Sequence, residues 1–180
     1  MSLILSGDTS GAITLAAPAV SGTNTATLPA ATGTVMVSGN MPAFSAYLGS
    51  NQNLTNSTFT KIQINTKNFD TNSNYDNATN YRFTPTVAGY YQINGRVDAQ
   101  SSTGSVTRCI VSIYKNGTEY KRGSDVNTAN TNASNVMDVV YFNGSTDYAE
   151  LYAFISAAVT ATAGAGQALT YFSGSMVRGA

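Results

Sequence analysis

Between residues 42 and 178, turn-forming Gly, Pro, Asn and Asp interrupt the chain at short intervals, and the runs between them alternate rather than repeat with a helical period. AFSAYL (43–48), FTKIQIN (59–65), YRFTP (81–85), GYYQINGRVDA (89–99), TRCIVSIYK (107–115), TEYKRGS (118–124), NVMDVVYF (135–142), DYAELYAFIS (147–156) and ALTYFSGSMV (168–177) read as strands. Many short strands separated by turn signals confine the chain to an all-β sandwich or barrel. In GYYQINGRV, Tyr91, Ile93, Gly95 and Val97 share one face, and Tyr90, Gln92, Asn94 and Arg96 share the other. A glycine on the apolar face predicts close approach of another backbone or a bulky aromatic at Gly95. Asn116-Gly117 lies between two β-rich runs and predicts a type I′ hairpin turn. Asn143-Gly144 marks a similar break.

VVYF (139–142) and LYAFI (151–155) are apolar on both strand faces. A strand with one wet face should alternate, so these two need a second cover, and a neighbouring copy is expected to supply it. Val139, Tyr141, Leu151, Phe154 and Phe172 are the candidates for that contact.

Residues 1–40 have a different texture. They are rich in Gly, Ala and Thr, lack aromatic residues and carry Asp8 as their only charge. Ile13 and Leu15 alternate, as do Val35 and Val37, which suggests short strands. So few apolar atoms bury little area, so this segment is expected to order only against copies of itself or a larger assembly. The expected division is therefore an N-terminal attachment or trimerisation arm, 1–40, and a head, 41–180.

Charged residues make up only 10% of the 180, nine basic against nine acidic, and Asn, Thr and Ser supply 61 positions. A neutral chain has no stripe to track phosphates, which argues against nucleic acid and anionic membranes as partners. The opening MSLIL is short and lacks a charged flank, unlike a secretory signal. There is no His, the commonest general base near neutral pH. Cys109 is the only cysteine and sits in an alternating apolar run, where a buried inert thiol is expected. Asp98, Glu119, Asp125, Asp138, Asp147 and Glu150 are scattered with no pairing legible for glycoside cleavage. An enzyme is not expected.

DTNSNYD places oxygen groups at Asp70, Asn72, Asn74 and Asp76, like the first half of a calcium loop. Tyr75 stands where such a loop needs Gly and Tyr81 where it needs a bidentate Glu, so a turn rich in Asx bonds is the favoured reading and calcium the lesser one. No other cofactor is expected. Sequons at Asn53, Asn56, Asn77, Asn116, Asn132 and Asn143 follow from an Asn/Thr/Ser-rich composition and are read as unglycosylated. Lys121 and Arg122, with Lys115, cluster at the Asn116-Gly117 hairpin; a solvated edge is the first reading and a small anionic contact patch the second. Tyr90, Tyr114 and Tyr120 are outward candidates for stacking on sugars.

FTPTVAGYYQINGRV (83–97) resembles the strand that typifies the globular head of complement component C-one-q, where a Phe, a Pro, a Gly and a Tyr lead into an alternating strand. PAFSAYL (42–48), NYDNATNYRFTP (74–85), VSIYKNGTEY (111–120), NGSTDYAELYA (143–153) and YFSGSMV (171–177) resemble further strands of that family in the same order. GSNQNLTNSTFT (49–60) and AAVTATAGAGQA (157–168) depart from its pattern. The resemblance implies a ten-stranded jelly roll of the tumour-necrosis-factor type that forms a tight homotrimer. APAVSGTNTATLPAATGTV (17–35) resembles a segment of bacteriophage tail-fibre and virion structural proteins. Together these imply a virion protein made in the host bacterial cytoplasm. Residues 1–40 would bind other virion proteins, and the trimeric head would bind a host cell-surface glycan or protein. A capsid decoration or cement protein is the alternative, because 40 residues are short for a fibre shaft. A bacterial or secreted binding module is a further one.

Overall fold

The computed structural model describes residues 3–20, 22–27, 30, 32–33, 35–101, 106–127, 133–158 and 160–180; the sequon at Asn132 and part of the 17–35 segment lie outside them. The chain divides into two compact units, Met1–Gly33 and Thr34–Ala180. In the first, β1 (Leu3–Ser6) and β2 (Ala12–Leu15) form an antiparallel hairpin.

The second unit opens with a short 3₁₀ turn, Ser38–Asn40. Val35 and Val37, expected in a strand, lead into this turn instead, where the Asn40 side chain accepts the Val37 N–H at 2.7 Å. The strands follow as β3 (Ala43–Tyr47), β4 (Gln52–Leu54), β5 (Phe59–Lys61), β6 (Thr66–Asp70), β7 (Tyr75–Asp76), β8 (Arg82–Phe83), β9 (Gly89–Ser101), β10 (Val106–Lys115), β11 (Thr118–Val126), β12 (Ala133–Phe142), β13 (Ala149–Ala157), β14 (Ala161–Ala163) and β15 (Tyr171–Gly179).

They form two antiparallel sheets. One runs β7-β8-β13-β10-β11, with β5 also paired to β13. The other runs β12-β9-β15-β3-β6, and β14 and β4 extend it from the far end of β9. The sheets hold six and seven strands, so the sandwich is of the expected jelly-roll type, with three short strands more than the ten expected. The two stretches that depart from the family pattern meet here: Leu54 pairs with Ala161 and Gln52 with Ala163.

Aromatic rings fill the interior. Phe44 stacks on Phe83 at 4.4 Å and on Tyr75 at 4.9 Å, and Phe142 meets Tyr91 edge-on at 5.5 Å. Each such ring contributes about 1.5–3 kcal/mol by burial, and each ring pair about 0.5–1.5 kcal/mol more. The buried tyrosines keep their polar ends satisfied: Tyr91 Oη donates to the Val87 carbonyl at 2.7 Å and Tyr75 Oη to the Ile64 carbonyl at 3.0 Å. Cys109 lies in this core, and burial pushes its thiol up to about 12.

The Asn116-Gly117 turn is of the expected kind, with φ of 53° and 78° at the two residues. Gly95 needs to be glycine for a reason other than the expected one. A Cβ there would fall on Leu151 Cδ1 of the facing sheet, so the close neighbour is an aliphatic side chain rather than a backbone or a ring. Gly95→Ala is therefore expected to overpack the core and destabilise the head by about 1–3 kcal/mol. An unchanged urea midpoint for this variant would contradict that packing.

Candidate interaction surface

A sandwich strand shows one side chain in two to the core and the other to its outer face. On the β13–β10 sheet, Leu151, Ala153 and Ile155 face the core, while Tyr152 and Phe154 face out. The chain covers that outer face itself. Phe59 from β5 sits 5.5 Å from Phe154 and 6.0 Å from Tyr114, and Tyr114 stacks on Tyr152 at 3.9 Å. The Arg108 guanidinium lies 5.5 Å over Phe154, and that of Arg122 lies 5.4 Å over Phe59. Both arginines are held by bidentate carboxylates, Arg108 by Asp125 at 2.8 and 2.6 Å, Arg122 by Glu119 at 2.9 and 2.8 Å. Beneath this layer Ile110 is buried outside the main core.

Among the described residues, no aromatic strap or arginine covers the outer face of the β9 sheet; only the Lys115 ammonium lies near it, 5.8 Å from the Tyr141 ring. Tyr90 and Tyr141 are directly opposed on β9 and β12 and pack at 5.3 Å. With Val139 and Met137 they form an apolar ridge, its members 41 to 60% exposed. Val177 is exposed where the β15–β9 register shifts, beside Tyr90. Across the sheet, Phe69 on β6 is also exposed. Between the ridge and Phe69, Ser45, Ser173, Gly174 and Ser175 floor a shallow trough of about 310 Å³, with Asn94 at its side toward the ridge.

The structure separates the five contact candidates into three groups. Val139 and Tyr141 lie on the open ridge. Phe154 points outward but is covered by Phe59 and Arg108 of the same chain. Leu151 and Phe172 point into the core and are wholly buried, so no second copy can reach them. The surface candidates are also dispersed. Tyr90 belongs to the ridge, while Tyr114 and Arg122 belong to the sealed layer of the opposite sheet. Tyr120 is exposed on edge strand β11, and Lys121 there pairs with Asp138 of β12 at 3.3 Å. The sequence missed Met137, Phe69 and Val177; strand alternation alone would have placed Met137 beside Val139.

The DTNSNYD oxygens are occupied by turn hydrogen bonds. Asp70 accepts the N–H groups of Asn74 and Tyr75 at 2.9 and 3.0 Å and the Lys67 ammonium at 3.1 Å. Asp76 accepts the N–H groups of Ala78, Thr79 and Asn80 and the Asn80 amide. Asn72 Oδ1 accepts the Thr71 hydroxyl at 2.8 Å, and Asn74 Oδ1 accepts the Thr86 N–H at 3.3 Å. Among the described residues no group of three His, Cys, Asp or Glu is assembled that could hold a metal ion.

No protein-family description matches the chain, and no curated protein matches its sequence. Solved structures do match it. Eiger TNF from S. frugiperda superposes with a TM-score of 0.55 at 4% identity, over 78% of this chain and 93% of that one. Murine APRIL at pH 8.0 superposes with a TM-score of 0.54 at 12% identity, over 76% of this chain and 99% of that one. The head has the tumour-necrosis-factor-like jelly-roll fold. Identities this low speak for the fold alone.

Several carboxyls are held below their ordinary range. The N–H groups of Thr79 and Ala78 lower Asp76, the Arg122 guanidinium lowers Glu119, and the Asn116 amide with Lys115 lowers Asp147. The folded state therefore binds fewer protons than the unfolded one. This stabilisation is complete above the ordinary values, 3.8 for Asp and 4.5 for Glu, and is lost as pH falls through the lower folded values. The melting temperature is expected to drop steeply below about pH 4, and less steeply in Asp76→Asn. Calcium at millimolar concentration is expected to leave it unchanged, because the Asp70 and Asp76 oxygens are already bonded; a calorimetric binding signal at this loop would contradict that.

Proposed function

We propose that the chain is a non-enzymatic virion structural protein of a bacteriophage, with a homotrimeric jelly-roll head that adheres to a host surface and an N-terminal segment that joins it to the particle. The open ridge of Met137, Val139, Tyr141 and Tyr90 carries this reading. Clustered exposed apolar side chains mark an interaction surface. The opposite sheet closes its outer face with its own rings and arginines, so the bare face is a property of one sheet and not of the whole head. A ridge of large side chains beside a trough floored by Ser and Gly suits a heterologous contact, in which the ridge of one copy fills the trough of the next. Contacts of that type form a ring when the rotation between copies closes and a filament when it does not, and the resemblance to the complement C-one-q head makes a closed ring of three the expected form.

A non-catalytic role is supported by the carboxylates. Asp98, Glu119, Asp125, Asp138, Asp147 and Glu150 each pair with a Lys or Arg. None stands as a free acid or base beside another, as glycoside cleavage would require. The phage setting rests on the likeness of residues 17–35 to virion proteins, and adhesion on avidity, since three linked copies turn weak contacts into durable attachment.

Sedimentation equilibrium at micromolar concentration is expected to give three copies. Val139→Lys should weaken assembly by about 3 kcal/mol or more, roughly a hundred-fold, while Thr118→Lys on the exposed hairpin should leave it intact. A parent chain that sediments as one folded copy would overturn the proposal. In purified particles, low copy number fits an adhesive tip, and a count matching the capsid lattice would point to decoration instead.

A further inference from the structure

The β1–β2 hairpin is two-faced. Leu3 is directly opposite Leu15 and Leu5 opposite Ile13, and opposed residues of an antiparallel pair share a face. Four aliphatic side chains thus form one face, while Ile4, Thr14, Ser6 and Ala12 form the other. Every residue of both strands is exposed, the four aliphatic ones between 51 and 66%. A lone two-stranded hairpin is marginal in water and needs a further layer or strand. Neither strand carries a charge; Asp8 lies in the connection between them. Nothing therefore guards the hairpin edges, in contrast to edge strand β11 of the head with Lys121 and Arg122.

We infer that the occupant of this apolar face is the same face of other copies, so that the hairpins form a second self-association element. This rests on the homotrimer proposed above. The size of the face decides between occupants. Free association of two proteins needs about 800 Å² from each partner, and four half-covered aliphatic side chains fall far short. Copies already joined through their heads meet at an effective concentration of roughly millimolar, where a small apolar contact suffices. A foreign partner arriving from solution has no such help. It also finds no charge on the strands to steer or orient it. The rest of the first unit then remains for contact with the particle.

Cysteine cross-linking of the full-length chain tests this. Cys109 is wholly buried in the core, so it stays silent toward a maleimide. Ile13→Cys places a thiol on the aliphatic face and Thr14→Cys places one on the opposite face of the same strand. With a short bis-maleimide, Ile13→Cys is expected to give a strong band at twice the chain mass, and Thr14→Cys little or none. Sedimentation of both variants separates the two ideas. If the chains sediment as trimers but neither variant links, or both link equally, the hairpin contact is refuted and the head assembly stands. If they sediment as single copies, both fall together.

Discussion

A two-sheet sandwich has four faces and only one interior, so each outer face must be made compatible with water separately. This protein treats its two outer faces differently. Over the β13–β10 sheet, Phe59, Phe154, Tyr114 and Tyr152 form a second apolar layer, closed by Arg108 and Arg122. Those guanidiniums are themselves fixed by Asp125 and Glu119. Over the β9 sheet the described residues supply no strap and no arginine lid, and Tyr90, Met137, Val139 and Tyr141 stay in contact with solvent. The proposed assembly follows from that difference.

The same economy governs the polar residues. With only a tenth of its residues charged, the chain uses Asn and Asp side chains to satisfy the backbone of its turns. Asn143 Oδ1 accepts the N–H groups of Ser145, Thr146 and Asp147, and Asp76 does the same for Ala78, Thr79 and Asn80. Turn groups left without water or a partner would each cost about 1–3 kcal/mol. The abundance of Asn in the loops thus has a structural cause, and the DTNSNYD oxygens serve it too.

Strands with alternating or wholly apolar side chains were legible in the sequence, from AFSAYL to ALTYFSGSMV, because their burial pattern is written in residue type. β4, β6, β7 and β14 were not. QNL, TKNFD, YD and ATA are short or polar; YD pairs with β8 across a local turn, and the other three are placed by backbone ladders to strands further off in the chain. Gly95 was legible as a site of close approach, but not the partner, since Leu151 arrives from the facing sheet. Doubly apolar strands were legible as needing two covers. The sequence had no means of saying that Phe154 finds its second cover in Phe59, some ninety residues earlier in the chain.

Residue order alone determined the all-β class, the Asn116-Gly117 turn and the alternation that divides each long strand between core and surface. These depend on local sterics and on a side-chain period of two. Which outer face is sealed and which stays open was decided only by tertiary structure. That choice depends on where β5 lands across β13 and where Arg108 and Arg122 reach, both set by long-range pairing. Local pattern can mark a face as apolar, but only the folded chain shows whether it also covers it.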